Sequence, residues 1–269
     1  MGRLTPDRMT FSGPTWGGLI PAPPHFYRNS KNLLISYETH LDPVLDLLPE
    51  EVEPLSDAPR VVLWFQDTPF STWGPHQGCY AFIECVFRGN PYFFEAFLWV
   101  TSDSALAAGR ELWGDSKKLA DISVDCVAEE IVASLERPTG CAIATARMRL
   151  ERWGDPDALP AHPGLCLKII PGAERGQPPA VLQLVRDDMA AHAVVGSDGR
   201  PEVYTGPATL TLGTQGALDP LASLTPIGPI EATYALMHVE LDYGTILKDY
   251  HDPSIGQSVT AGDGVLAGD

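Results

Sequence analysis

A mostly β chain, folded as one domain around a curved or closed antiparallel sheet with a few short helices, is predicted by three observations. Short runs rich in β-branched and aromatic residues recur along nearly the whole chain. The 25 glycines and 25 prolines among 269 residues punctuate those runs with turns. Neither an internal repeat nor a linker divides the chain. A hydrophobic fraction of 44% fills one sizeable core, and a curved or closed sheet is the simplest way to bury so many strands in it.

Residues 1–24 are rich in glycine and proline, with Trp16 between two turns, and read as an arm that docks rather than a folded unit. A strand is expected at Leu33–Tyr37, then a short helix over Pro43–Leu48, capped by Asp42 and stopped near Pro49. Residues 60–67 read as a buried strand and residues 68–78 as a loop. Two long strands follow, Cys79–Phe87 and Tyr92–Val100, joined through Arg88–Pro91, where Gly-Asn is a hairpin signal. Ser102 or Asp103 caps a helix through Leu112, ended by Trp113 and Gly114. Residues 122–151 read as a further pair of strands, and shorter runs recur at 165–170, 180–186 and 207–212. A last strand is expected over Ile230–Val239, with a short helix before Tyr250. The folded domain is thus 25–250, and the small, polar tail 251–269 is expected to be disordered.

The net charge of -17 leaves no basic face for phosphate or for an anionic membrane surface, so neither nucleic acid nor membrane is an expected partner. No stretch approaches the ~18 apolar residues of a membrane span, and the N-terminus lacks the apolar core of a secretory signal. The five cysteines are scattered, with no CxxC pair, and read as free thiols in a reducing cytoplasm. The seven histidines form no HxxxH or HxH pair, and there is no phosphate loop, GxGxxG or GxSxG element. Neither a metal nor an organic cofactor is expected; the expected partner is a small molecule.

The segment Gly109–Ala120, GRELWGDSKKLA, places two adjacent lysines just after a helix that starts at the end of a buried strand. A free lysine has a pKa of about 10.4, so almost none is neutral at pH 7, and only the neutral amine attacks a carbonyl. A second ammonium about 4–5 Å away costs roughly 3–4 kcal/mol at an effective dielectric near 20, and burial adds to that. Lys117 and Lys118 are therefore candidates for a reactive amine and its neighbour. A bare Lys-Lys pair facing solvent is the competing reading.

The surrounding residues decide between them. GRELWGDSKKLA closely resembles the Gly-Arg-Glu-Leu…Pro-Lys-Lys-Leu signature of the acetoacetate decarboxylase family. NLLISYETHLDPVLDLLPE (32–50), LCLKIIP (165–171) and VYTGPATLTL (203–212) resemble further family segments, in family order from about residue 26 to 250. The resemblance implies a homo-oligomeric enzyme of that fold. It also implies that Lys117 is the Schiff-base nucleophile and Lys118 tunes its pKa, the lysine-by-cation device known for this family. Arg110 and Glu111 match the motif too, with a helix-end ion pair as the alternative role.

The chain departs from the family where the chemistry is set. Aligned through SYETH…LLPE, Ser30 stands where the family has an arginine, with Arg28 the only nearby substitute for holding a carboxylate. The two family glutamates fall near Trp64, with Gln66 on the same strand face, and near Gly78. Asp115 and Ser116 replace the residues that precede the lysines, and Asp115 is expected to point outward. Gln66, His76, Tyr80 and Glu84 remain as proton-transfer candidates, and Glu95 raises the same question; Trp64 and Trp113 are candidate pocket walls. Without the arginine and glutamates, an imine at Lys117 still yields an enamine. Aldol condensation, dehydration or cyclisation on an oxo acid or other carbonyl compound is the expected reaction. β-Keto acid decarboxylation is the alternative, and a binding protein of the same fold a further one.

Overall fold

Strands that are apolar on every residue must be covered on both faces. The computed structural model describes residues 1–159, 162–213 and 216–256, and three neighbouring strands in it carry such a continuous, buried apolar run, at 33–35, 61–65 and 79–83. They are β1 (His25–Glu38), β3 (Arg60–Thr68) and β5 (His76–Phe87), with α1 (Leu41–Leu45), β2 (Val52–Pro54) and β4 (Phe70–Ser71) in the connections. β6 (Asn90–Val100) pairs antiparallel with β5. Their turn residues are Arg88 and Gly89, with φ of 50° and 80°, the left-handed conformations of a two-residue hairpin.

The chain then enters α2 (Asp103–Ala108), capped by Ser102, whose hydroxyl accepts from the Ala105 N–H. α2 runs into a single π-turn at Gly109–Trp113 that stops at Gly114, φ 101°. β7 (Lys117–Leu119) returns beside β6, in parallel. Then follow β8 (Asp121–Val127), β9 (Glu130–Glu136), β10 (Ala142–Arg149), β11 (Arg152–Trp153), β12 (Gly164–Ile170), β13 (Val181–Arg186) and β14 (Met189–Ala193). β15 (Val203–Thr205), β16 (Ala208–Leu212), β17 (Glu231–Leu241) and β18 (Thr245–Asp249) complete the order.

The strands form two sheets. The large one runs β11-β15-β17-β1-β3-β5-β6-β12-β13-β18, and the small one β16-β10-β9-β8. The large sheet's path is open, so the curved alternative holds and the closed barrel does not. Odd residues of the central strands, such as Leu33, Ile35, Leu63, Phe65, Ala81 and Ile83, pack with Ile131, Leu135 and Met148 of the small sheet. Even residues, Leu34, Trp64, Tyr80 and Phe82, form a second cluster with Phe93, Leu98 and Trp113 on the opposite face. From the arm, Ile20 joins this second cluster, and its backbone is held by the Ser12 hydroxyl.

Several elements differ from expectation. The first helix starts at Leu41 with His40 at its cap, and Asp42 lies in its first turn without capping it. The loop over 68–78 is shorter, because β4 and the start of β5 take part of it. Residues 122–151 make three strands rather than two, the run dividing near Ala128, whose φ is 55°. The segment before Tyr250 is β18, not a helix, and pairs with β13. The expected disorder of the tail concerns residues that, beyond Gly256, lie outside those described.

Two bulges matter for the site. Register shifts between Tyr27 and Ser30 in β1, where Asn29 has φ 55°, and again in β6, where Ala81 pairs with Phe97 but Phe82 with Glu95. Each bulge turns the residues beyond it onto the other face.

Gly114 is the tightest point of the turn before Lys117. A Cβ built there would lie 2.4 Å from the Lys168 Cα, in a backbone conformation that L side chains rarely adopt. Gly114→Ala should cost about 2–3 kcal/mol, read as a lower urea midpoint with an unchanged slope; full stability would mean that the turn relaxes at no cost.

Candidate active site

Lys117 opens β7, where parallel pairing to Leu98 holds it against β6. Its side chain is only 7% exposed and lines a cavity of about 50 Å³. A water needs roughly 10–15 Å³ of such space, so the cavity suits a compact molecule of few heavy atoms. The walls are mostly apolar and aromatic: Tyr27, Trp64, Tyr80, Phe82, Leu98, Trp113, Met189 and Leu241. The polar lining is Gln66, Glu95, Asp115, Asp187 and Lys117.

The nearest partner of Lys117 is a carboxylate: Nζ sits 2.7 Å from Asp115 Oδ2, and both residues are buried. The expectation that Asp115 points outward is thus overturned. A buried ammonium needs a counter-charge within reach, and the left-handed turn at Gly114 swings Asp115 inward to supply it. Burial opposes the charge on Lys117, but Asp115 overcomes it and holds the amine above the usual lysine range. Gly109 makes room for the pair, because a Cβ there would lie 2.6 Å from Asp115 Oδ2 and 2.8 Å from Nζ. Asp115 Oδ1 also accepts from the Cys166 thiol at 3.3 Å.

Lys118 does not join them. Neighbours in a strand face opposite ways, and its ammonium bonds the Leu218 carbonyl and lies 3.1 Å from Asp219 Oδ1. Asp219 also accepts from Trp99 Nε1 and Arg137, so Lys118 anchors β7 to the other side of the sheet.

Two further acids complete the polar lining. Glu95 is 8% exposed and Asp187 6%, and their carboxyl groups share a hydrogen bond. Asp187 Oδ1 accepts from the Gly164 N–H at 2.8 Å. Burial, with Asp115 and Asp187 nearby, raises Glu95 well above the usual carboxylate range. Burial and Asp115 push Asp187 up to about 6. Glu95 is therefore the neutral donor of the pair and Asp187 the acceptor. Donor atoms of Glu95, Asp115 and Cys166 lie within 4.8 Å of one another. The cation they face is the Lys117 ammonium, which a metal ion would have to displace.

Of the candidates read from sequence, Lys117, Trp64, Gln66, Tyr80 and Trp113 meet around the cavity, as does Glu95. Asn32, which sequence reasoning passed over, organises three of them. Its Oδ1 accepts from Trp64 Nε1 at 2.9 Å and Gln66 Nε2 at 3.1 Å, and Gln66 Oε1 accepts from the Tyr80 hydroxyl at 3.4 Å. Burial pushes the Tyr80 phenol up to about 12, so it stays neutral. Gly78 leaves room for that phenol, which occupies the place of a Cβ at 78. Trp113 is fixed by donating from Nε1 to the Asp242 carbonyl.

The remaining candidates lie elsewhere. Arg28 stacks over the Phe26 ring at 4.8 Å and lines no part of the cavity, because the bulge at Asn29 gives the inward position to Tyr27. The Ser30 hydroxyl is buried against Thr68. His76 is buried beside Tyr27 rather than solvent-facing, and burial pushes it down to about 4, so it is neutral at pH 7. Glu84 faces Arg60 at 3.7 Å. Arg110 and Glu111 are exposed, with Arg110 reaching the Lys117 carbonyl at 3.5 Å. Asp187 went unread because Arg-Asp-Asp looks like a polar turn; its only signal is a carboxylate ending an apolar strand.

The family model for acetoacetate decarboxylase matches residues 8–251. The chain belongs to the acetoacetate decarboxylase family. Acetoacetate decarboxylase 2 of Mesorhizobium japonicum is 30% identical over 245 residues, 89% of each chain. The acetoacetate decarboxylase of Acidiphilium cryptum is 28% identical over 93% of this chain and 99% of its own. The crystal structure of acetoacetate decarboxylase from Legionella pneumophila superposes with a TM-score of 0.80 at 25% identity, covering 91% of this chain and 96% of that one. The fold also matches the enduracididine biosynthesis enzyme MppR complexed with pyruvate, TM-score 0.72 at 19% identity, over 90% of this chain and 99% of that one. No helix among the described residues is long and apolar enough to cross a membrane.

With Asp115→Asn, burial becomes the largest influence on Lys117, against the smaller opposing effects of Tyr27 and Tyr80, and its pKa should fall. The pH at which formaldehyde and cyanoborohydride begin to methylate Lys117 should move down. The substitution should also destabilise the fold, by about 3–5 kcal/mol if Lys117 keeps its charge and less if it neutralises. An unchanged methylation onset would show that the ion pair does not control the amine.

Proposed function

We propose that this family member is a Schiff-base enzyme in which Lys117 condenses with a small carbonyl or oxo-acid substrate, and that the enamine then serves aldol condensation and dehydration or cyclisation in specialised metabolism. The observation that carries the reading is Lys117 at the wall of a small, mostly apolar cavity, with the Asp115 carboxylate at 2.7 Å. An iminium nitrogen is a cation in the same place as the ammonium, so Asp115 stabilises both. Asp115 is placed to accept the Nζ proton as a carbonyl approaches, and to hold the protonated imine that follows. That iminium draws electrons from the adjacent carbon, whether a proton or CO₂ leaves it.

The carbon–carbon bond-forming reading rests on the lining. It contains three carboxyl groups and no guanidinium, so nothing beyond Lys117 clamps a substrate carboxylate. Decarboxylation is the second reading, favoured by the relatives that carry the name acetoacetate decarboxylase. A small-molecule-binding role without turnover is the third. We further propose that Lys118 holds β7 in place through Asp219, and that the enzyme works in the cytoplasm as a homo-oligomer.

Borohydride reduction with pyruvate and with acetoacetate, followed by peptide mass spectrometry, tests the reading. A reduced adduct should appear on Lys117, vanish in Lys117→Ala and persist within a few-fold in Lys118→Ala. An acetoacetate adduct that keeps its carboxylate supports aldol-type chemistry, and one that has lost CO₂ supports decarboxylation. No adduct from either acid in folded protein would sink the oxo-acid form of the reading.

A further inference from the structure

The proton that leaves the substrate α-carbon needs an acceptor, and Gln66, His76, Tyr80 and Glu84 do not supply one. His76 and Glu84 lie outside the cavity, and Gln66 and Tyr80 are closed into the Asn32 network. Glu95 lines the cavity, and a carboxyl oxygen of it lies within 4.8 Å of an oxygen of Asp115. Its Oε1 faces Asp187 across Gly164, where a Cβ would meet both carboxyl groups. Its Oε2 is buried and has no partner among the described residues. The α-carbon of an imine on Lys117 would stand two bonds from Nζ, in the cavity that Glu95 and Asp115 also line.

We propose that Glu95 is the residue that moves the α-proton and that Asp187 is its relay, the two carboxyl groups acting as one bifunctional acid–base. In the forward step the α C–H bond breaks and its electrons form the enamine C=C, while the iminium π pair returns to Nζ. The proton goes to Glu95 Oε2, and the proton that Glu95 already carries passes from Oε1 to Asp187. Glu95 stays neutral throughout, and Asp187 ends protonated. The reverse sequence protonates an enamine carbon, after CO₂ loss or after carbon–carbon bond formation alike. The step needs no oxidant or reductant, and it rests on the imine reading of Lys117.

The surroundings suit a relay of one proton. Lys117 and Asp115 face the pair across the cavity, Cys166 packs beside Asp115, Tyr80 lies on the cavity wall, and Asp188 follows Asp187 in the chain. Burial and Asp115 push Asp187, the terminal acceptor, up to about 6, toward the range in which a general base works best. Asp188 is held by Arg186 at 2.7 Å and is not free to replace it.

Deuterium exchange into acetone and into pyruvate, followed by proton NMR in D₂O, isolates this step from imine formation, which borohydride trapping reads on the same samples. Exchange catalysed by the unmodified enzyme should rise with pH through about 6, as Asp187 loses its proton. In Glu95→Gln and Asp187→Asn, exchange should fall about 10²–10⁴-fold relative to adduct formation, and Asp187→Asn should lose the rise near pH 6. Exchange that keeps pace with the adduct in both variants would overturn the proposal. So would a pH profile of the unmodified enzyme that is flat between pH 5 and 7, a measurement that needs no variant to fold. If acetone and pyruvate give no adduct even in the unmodified enzyme, the reading of Lys117 as an imine former with small ketones and oxo acids falls, and this proposal with it.

Discussion

A charged amine inside an apolar cavity is tolerable only beside an opposite charge. At an effective dielectric near 20, two charges about 3 Å apart attract by roughly 5–6 kcal/mol, enough to offset much of their desolvation. The Lys117–Asp115 contact of 2.7 Å is that condition here, and the local chain is arranged around it. The π-turn, the left-handed Gly114 and the bare Gly109 leave no side chain where the pair must sit. The same contact sets a chemical compromise: it withholds the lone pair of the resting amine, yet it favours the iminium once formed.

Much of the architecture was legible because its rules are local. Alternating and continuous apolar runs located the central strands, the Gly-containing turn located the β5–β6 hairpin, and Ser102 located a helix start. The Lys-Lys motif, with its flanking Gly-Arg-Glu-Leu, located the buried lysine of the cavity. What escaped depended on register and on partners distant in sequence. Period-two reading puts Glu84 on the face of Tyr80 and Phe82, and leaves Glu95 on the face opposite Leu98. The extra residue in β6 reverses that for Glu95. The bulge at Asn29 likewise exchanges Arg28 for Tyr27.

The polar residues show the same limit. Asp115 looked like a turn residue because its counter-charge is the next side chain to point inward. Lys118 looked like a tuning cation because it adjoins Lys117, whereas strand alternation sends it to Asp219, one hundred and one residues away. Asn32 closes the polar run Arg28–Asn32 and announces nothing by spacing. Only the assembled sheet shows that it holds Trp64 and Gln66 together.

The central strands carry two separable messages on alternate residues. Their odd positions bind the sheets into one body, and their even positions include the cavity walls Trp64, Gln66, Tyr80 and Phe82. A lineage built on this plan is free to rewrite its chemistry at the even positions while leaving the glue between layers untouched. Length changes are bolder still: losing the one extra residue in β6 would withdraw Glu95 from the cavity and present a different neighbour in its place. Divergence among such enzymes is then written in insertions and deletions as much as in exchanged letters.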